Sequence, residues 1–522
     1  MPSELISAQR LQIPGAGGGD ALMMNDGVVI AVGERTQLSG YDTKTHYEGA
    51  ILIPGLRDAH IHPVAYAAAL RGTTLGTATS FADVIRRLRI EATESAPPAP
   101  LLGMRLNEET LEEHRLPDRW VLDEAAHDRP ILAHRYCGHV AVANSAALAS
   151  AGIDRATPDP AGGSIDRDHT GELTGVLRET AIELVAQQLR GANTVSASEL
   201  LGALYRLAAA GITSIGAMLR TGTGAWASLG NEVETAVAAA PGLPIKMGVY
   251  VIEDSPETVA VNMAKVESAG PRLAWRGIKR FGDGSFGGHT AAMHEPFCDA
   301  DTTGTLRLTS LDRAIAEESL RLGGAAAIHA IGDRACGELI DMYLDLIAAG
   351  ADPAKLRIEH ASVMTERDML RAAAAGIRVV VQPPFMGSEA PWLEKRLGAE
   401  RLERTYAFAS LERAGAVLAG SSDCPVEPPD PWAGMALARD RAGMSAGQAI
   451  AAESALAMYT TGAAVALEEP VPLAVGSPAD FVIVDRDPLQ VSPSQLRDTE
   501  VITTFVDGVE VAVDRSAPLW LD

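Results

Sequence analysis

The chain has 522 residues, enough to bury a large core and to fold as more than one domain. Hydrophobic residues make up 47% and charged residues 21%, the balance of an ordinary globular protein, while a formal net charge of -24 argues against nucleic acid or anionic membrane as a partner. The four cysteines, Cys137, Cys298, Cys336 and Cys424, are isolated and form no CxxC pair, which excludes a disulfide framework or a thiolate zinc knuckle as an organising element.

The N-terminus, Met1-Pro-Ser-Glu-Leu5, has no basic stretch followed by an apolar one, and no run of about 18 apolar residues occurs anywhere. A cytoplasmic enzyme with reduced thiols is expected. Residues 1–54 read as short strands with Gly-rich turns; Gly27-Val-Val-Ile-Ala-Val-Gly33 is a strand bounded by glycines. The chain ends in the same style, with strands at Asp480-Phe-Val-Ile-Val-Asp485 and Val501-Ile-Thr-Thr-Phe-Val506 and a hairpin turn at Asp507-Gly508. Residues 1–54 and 468–522 are therefore expected to build one small β-sandwich domain from both termini.

Between them, residues 55–467 alternate apolar strand-like runs with Ala/Leu/Arg/Glu-rich helical segments. Eight strands are expected near 51–62, 211–218, 245–251, 276–282, 325–331, 356–361, 377–382 and 416–422. Eight βα units predict an α/β fold of the (β/α)8 TIM-barrel type, whose chemistry sits at the C-terminal ends of the strands. The first two strands are too far apart for one helix, so residues of about 95–195 are expected to form an insertion over the barrel mouth.

Several of the expected strands end in residues that bind metals. His60 and His62 in Asp58-Ala-His-Ile-His-Pro63 are two apart, so in a strand both imidazoles face the same side and can hold one ion. His329 ends Ala325-Ala-Ala-Ile-His329, His360 ends Leu356-Arg-Ile-Glu-His360, and Asp423 ends Val417-Leu-Ala-Gly-Ser-Ser-Asp423. A carboxylate at that last place can bind a metal and also move protons; its structural alternative is a helix N-cap. Lys279 also ends a strand, in Arg276-Gly-Ile-Lys-Arg-Phe281, but its spacing alone favours an ion-paired or solvent-facing lysine. His114, His127 and His169 have no strand-end placement and read as surface or loop residues.

These segments, with Gly277-Ile-Lys-Arg-Phe-Gly-Asp-Gly-Ser285, Ile328-His-Ala-Ile-Gly-Asp-Arg-Ala335, Arg357-Ile-Glu-His-Ala361 and Ser421-Ser-Asp-Cys-Pro-Val426, resemble the amidohydrolase superfamily. The branch that includes the N-substituted formamide deformylases is the nearest match. Gly138-His-Val-Ala-Val-Ala-Asn-Ser145 and Gly175-Val-Leu-Arg-Glu179 resemble its insertion motifs, and Gly476-Ser-Pro-Ala-Asp-Phe-Val-Ile-Val-Asp485 its ending. The resemblance spans nearly the whole chain. It implies a barrel with a flanking β-sandwich and a centre of one or two zinc ions held by His60, His62, Lys279, His329, His360 and Asp423, with Lys279 carrying a bridging carbamate.

The implied reaction is hydrolysis of an amide-type C–N bond, in an N-substituted formamide or a cyclic amide, by a metal-activated hydroxide with Asp423 as general base and acid. His139, Asp283, His289, Arg334 and Gln382 are the candidates for binding a small-molecule substrate; Asp283 and Arg334 fit a structural ion pair equally well. Three positions depart from the branch pattern: Cys137 where an acidic residue is usual, His289 where an arginine is usual, and Cys424 where an aromatic is common. The alternatives are a lactone or ester hydrolase or a decarboxylase on the same centre, or an inactive scaffold. A homodimer is the family-level expectation for assembly.

Overall fold

The computed structural model describes residues 3–15, 18–95, 99–136, 138–160, 162–189, 194–221, 230–514 and 516–520. Its centre is an eight-stranded, wholly parallel sheet in sequential order. The strands are Leu56–Ile61, Ile212–Arg220, Lys246–Ile252, Leu273–Phe281, Ala325–Ala330, Leu356–His360, Arg378–Val381 and Leu418–Gly420, hereafter barrel strands one to eight. Most are buried along nearly their whole length, which is why they read as continuous apolar runs without alternation. The ends of the sheet close on each other by two backbone bonds: Asp423 N–H donates to His60 O at 2.9 Å, and His62 N–H donates to Cys424 O at 2.9 Å. Closure thus brings the metal-type residues of the first and last strands together. The fold is the expected (β/α)8 barrel with a β-sandwich.

Helix signals follow the barrel strands as expected. Ala197–Ala209, which leads into strand two, opens with a reciprocal capping box between Ser196 and Glu199, and Ser310–Arg321, which leads into strand five, does so between Thr309 and Asp312. Glu366–Ala375 stops at Gly376, whose φ of +76° closes the helix in the left-handed conformation. Strands one and two lie so close that a Cβ on Gly216 would fall 2.1 Å from Ala59 O, so only glycine fits there.

Strands from both ends of the chain share one seven-stranded sheet. Glu4–Leu11, Gly19–Asn25, Val28–Gly33 and Thr43–Pro54 come from the N-terminal side, and Phe481–Val484, Val501–Val506 and Val509–Glu510 from the C-terminal side. Their inner faces form a separate core of Leu11, Leu22, Leu52, Phe481 and Phe505, with the two phenyl rings stacked at 4.3 Å. Thr43–Pro54 runs through Gly55 directly into barrel strand one.

A third sheet of six strands spans Thr73 to Glu179 and carries its own core of Leu132, Ala141, Leu148, Ile165 and Leu177. It begins earlier than the boundary of about 95 expected from sequence. The helix Phe81–Glu94 packs on Thr73–Thr74 and Leu101–Leu106 of this sheet. Among the described residues, no helix is long and apolar enough to cross a membrane.

Candidate metal centre and active-site cavity

His60, His62, Lys279, His329, His360 and Asp423 all line one cavity of about 210 Å³ at the C-terminal ends of the barrel strands. His60 Nε2 lies 3.2 Å and His62 Nε2 3.3 Å from Asp423 Oδ1. Ligand atoms of His60, His360 and Asp423 come within 4.8 Å of one another, close enough to hold one metal ion. The His329 and His360 rings are 4.4 Å apart, and His60 and His360 5.2 Å. The backbone is bent to achieve this. His360 and Asp423 have φ of +77° and +56°, a left-handed conformation that is uncommon for residues other than glycine and is concentrated at functional sites.

Three of the four imidazoles have one nitrogen committed to an anchor; at His62 the buried Nδ1 has no partner. His60 Nδ1 meets Glu359 Oε2 at 2.6 Å, His360 Nδ1 meets Gln382 Oε1 at 2.7 Å, and His329 Nε2 meets Gly284 O at 2.8 Å. Donation of N–H to these acceptors fixes the tautomer and leaves the opposite nitrogen as a lone-pair donor, the arrangement that metal-ligating histidines use. His60 Nε2 and Asp423 Oδ1 are buried and make no hydrogen bond, although 3.2 Å apart. Two unsatisfied polar atoms aimed at one point fit a shared cation.

Electrostatics agree. Burial holds His329 and His360 well below the usual histidine range, helped at His329 by the Lys279 ammonium and at His360 by the neighbouring His329 ring, so both are neutral. His62 is pushed down to about 4 by burial, against the pull of Asp423. At His60 burial opposes charge, but the carboxylates of Asp423 and Glu359 outweigh it and raise the pKa. Those carboxylates favour any cation at that place. Asp423 stays anionic: His60, His62 and His360 overcome the effect of burial and hold it well below the usual range. Burial brings Lys279 down to about 8, against the attraction of Asp423 and Glu359. Its ammonium sits 3.7 Å above the Phe281 ring.

Of the five substrate-binding candidates, only His139 lines the cavity. Its Nδ1 meets Glu179 Oε2 at 2.9 Å, so the two insertion motifs of the sequence meet as a pair. Glu179 is in turn held by Arg307 at 3.0 Å and Thr290 Oγ1 at 3.0 Å. The other four stand elsewhere. Asp283 is fully buried and accepts N–H bonds from Ala292, Ile331 and Gly332 at 2.8–3.0 Å, which ties the loops after strands four and five together. Gln382 sits behind His360 and donates to Ser421 Oγ at 2.9 Å. His289 pairs with Asp299 at 3.0 Å, away from the cavity. Arg334 is exposed on the helix Asp333–Ala348 and forms no pair with Asp283. Loop direction decides these positions, and strand periodicity does not report it. Arg334→Ala is therefore expected to leave stability within about 0.5 kcal/mol of the parent and turnover unchanged; a large loss of turnover would return Arg334 to the site. Of the departures from the branch pattern, Cys424 is buried and does not line the cavity, and Cys137 lies outside the described residues.

Several cavity residues escaped the sequence reading. Arg220 ends barrel strand two, and the strand-end signal would have found it had that strand been extended by two residues. Glu389 lines the cavity from the helix Phe385–Leu402; burial pushes its carboxyl up to about 7, and it accepts the Tyr406 hydroxyl at 2.5 Å. Nothing in the helical pattern marks it. The six-stranded sheet supplies much of the remaining wall, including Leu102, Met104, Arg105, Leu132 and His134.

Comparisons with known proteins agree with this geometry. The model of the Amidohydrolase family matches residues 48–512. YtcJ of Bacillus subtilis (strain 168), named an amidohydrolase, is 28% identical over 514 residues, covering 94% of this chain and 95% of that protein. The N-substituted formamide deformylase of Arthrobacter pascens is 26% identical over 519 residues, 94% of each chain. The crystal structure of a metal-dependent hydrolase from Pyrococcus horikoshii OT3 matches with a TM-score of 0.73 and 28% identity, over 94% of this chain and 99% of that one.

Proposed function

Because this chain belongs to the amidohydrolase family and is a hydrolase with a metal cofactor, we propose that it hydrolyses an amide-type C–N bond in a small molecule. N-substituted formamides and cyclic amides are the first candidates, on the likeness to the Arthrobacter pascens deformylase. The observation that carries the reading is the convergence of His60 Nε2 and Asp423 Oδ1, both buried and unbonded, beside His360 in the main cavity.

His60, His62, His329, His360 and Asp423 would hold the metal, and zinc suits this mixture of imidazole and carboxylate donors. When bound, the ion supplies Lewis acidity, polarising the scissile carbonyl and activating water. The chain's own residues do the rest. Asp423, kept anionic by its histidine neighbours, takes a proton from water and returns it to the leaving nitrogen. His139, oriented by Glu179, presents its ring to the cavity, where it would bind substrate. Glu359 and Gln382 hold His60 and His360 in the tautomers that binding requires.

Lys279 is proposed to carry a carbamate. Burial leaves part of its amine neutral at pH 7, and addition of carbon dioxide to that amine releases one proton and gives a carboxylate. The new anion would add a carboxylate ligand to the donor set of the centre. Lys279→Ala is expected to lose metal and to lower turnover by at least about 100-fold, with part of both restored by short carboxylic acids. Metal analysis beside the assay decides it; full zinc and full rate in the variant would refute the carbamate.

The reaction itself is tested by a panel of N-substituted formamides, cyclic amides, lactones and phosphoesters with product analysis. Release of amine and carboxylate is the expected result. Activity on esters with none on amides would sink the C–N reading, and a protein that holds no transition metal and stays inert after zinc addition would favour a scaffold.

A further inference from the structure

A second cavity, of about 150 Å³, lies at the opposite end of the barrel from the metal centre, where barrel strands one, three and four begin and the chain passes into the β-sandwich. Its wall carries four cations and the two carboxylates of Glu469 and Asp480. Arg57, Lys246, Arg272 and Arg276 all line it, in a chain whose formal net charge is -24.

Three of these cations are matched by the chain's own carboxylates. Arg57 Nε meets Glu469 at 2.7 Å, Lys246 Nζ meets Asp480 at 2.6 Å and Asp507 at 2.8 Å, and Arg272 Nε meets Asp507 at 3.1 Å. Arg276 differs. It has neither ion pair nor hydrogen bond among the described residues, and its Nε is buried with no partner. A buried donor left unmade is costly and is uncommon in folded proteins. The space beside it is kept open by Gly248, where a Cβ would lie 3.0 Å from Arg276 Cγ and 3.4 Å from its Nε.

We propose that this lower cavity binds a small carboxylate anchored by Arg276. The planar guanidinium presents paired N–H donors that match a carboxylate. Arg57 and Arg272 in the same wall already pair with carboxylates, Glu469 and Asp507, through Nε. The cavity volume limits the ligand to a few carbon atoms. Its wall joins the barrel strands to the segment Glu469–Asp480 that leads into the sandwich, so a bound anion ties the two domains together. The site is separate from the catalytic reading and does not depend on it.

The test uses the full chain loaded with zinc and acetate as the probe. Thermal unfolding is followed as acetate replaces chloride at constant ionic strength, with calorimetric titration as the direct measurement. A saturable rise in Tm and one binding site per chain are expected. Arg276→Met should abolish both and leave turnover of the amide substrate unchanged. Arg276→Lys keeps the charge but loses the planar fork, and should bind at least about fivefold more weakly. Asp423→Asn should keep the shift, which separates this site from the metal centre. No effect beyond chloride, or an undiminished shift in Arg276→Met, overturns the site. Binding of phosphate without binding of acetate or formate overturns the ligand class.

Discussion

Asp423→Asn is expected to lower kcat by about 10³–10⁴-fold, the upper range for loss of a proton-transfer group. The substitution is nearly isosteric. Asparagine also tolerates the left-handed backbone that Asp423 adopts at φ +56°, better than alanine would, so strain cannot account for the loss. What changes is charge. Asp423 Oδ1 sits 3.2 Å from His60 Nε2 and 3.3 Å from His62 Nε2 as a buried anion, and a neutral amide can neither accept a proton from water nor neutralise a cation there. Metal content and kcat must be measured on the same preparation. Loss of rate with metal retained assigns Asp423 to proton transfer; loss of both assigns it to binding as well. A variant with undiminished rate would remove Asp423 from the mechanism.

Glu359→Ala is expected to destabilise the fold by about 3–5 kcal/mol, as removal of one member of a buried ion pair does. Glu359 and Arg357 are both 0% exposed. Glu359 accepts from Arg357 Nε at 2.8 Å through one oxygen and meets His60 Nδ1 at 2.6 Å through the other. Without it the Arg357 guanidinium keeps only the carbonyls of Ala59 and Ala466 and the face of Tyr250, none of them charged. His60 loses its anchor in the same step, so metal affinity should fall by about 10–100-fold.

The pH dependence has a definite sign. Burial opposes ionisation of Glu359, yet Arg357 and His60 bring its carboxyl from the ordinary 4.5 down to about 2. A carboxyl depressed in the folded state adds stability that is fully present above about pH 4.5 and is lost as pH falls towards 2. The shift corresponds to about 3 kcal/mol, in line with the mutational figure. Urea unfolding at several pH values should therefore show an acid-dependent loss in the parent that is smaller, by about 3 kcal/mol, in Glu359→Gln, the remainder coming from other depressed carboxylates such as Asp423 and Glu179. An equal slope in both proteins would place the acid sensitivity elsewhere.

The contrast between Glu359 and His360 shows how far sequence reasoning reaches. His360 is visible in the sequence because it ends an apolar strand. Its neighbour Glu359 reads as a strand residue of no special kind, and only barrel closure shows that it faces His60 across strands one and six. Asp283 and Arg334 teach the reverse. Each follows a metal-type strand, yet Asp283 turns under the loops to collect three amides and Arg334 turns out to solvent. A loop's course is set by what it packs on, and residue spacing carries no record of that.

By itself, the sequence determined the eight parallel strands, the terminal β domain and the polar residues at the strand ends. These follow from short-range rules: apolar runs bury as strands, capping residues start helices, and the TIM-type topology puts strand ends on one face. Only the tertiary structure decided which of those polar residues share a cavity and which carry the loops. It also decided that the six-stranded sheet walls the cavity from Leu102 to His134, and that Arg276 stands unmatched at the far end. Those outcomes depend on contacts between residues hundreds of positions apart, where burial and the available partners fix what each charge meets.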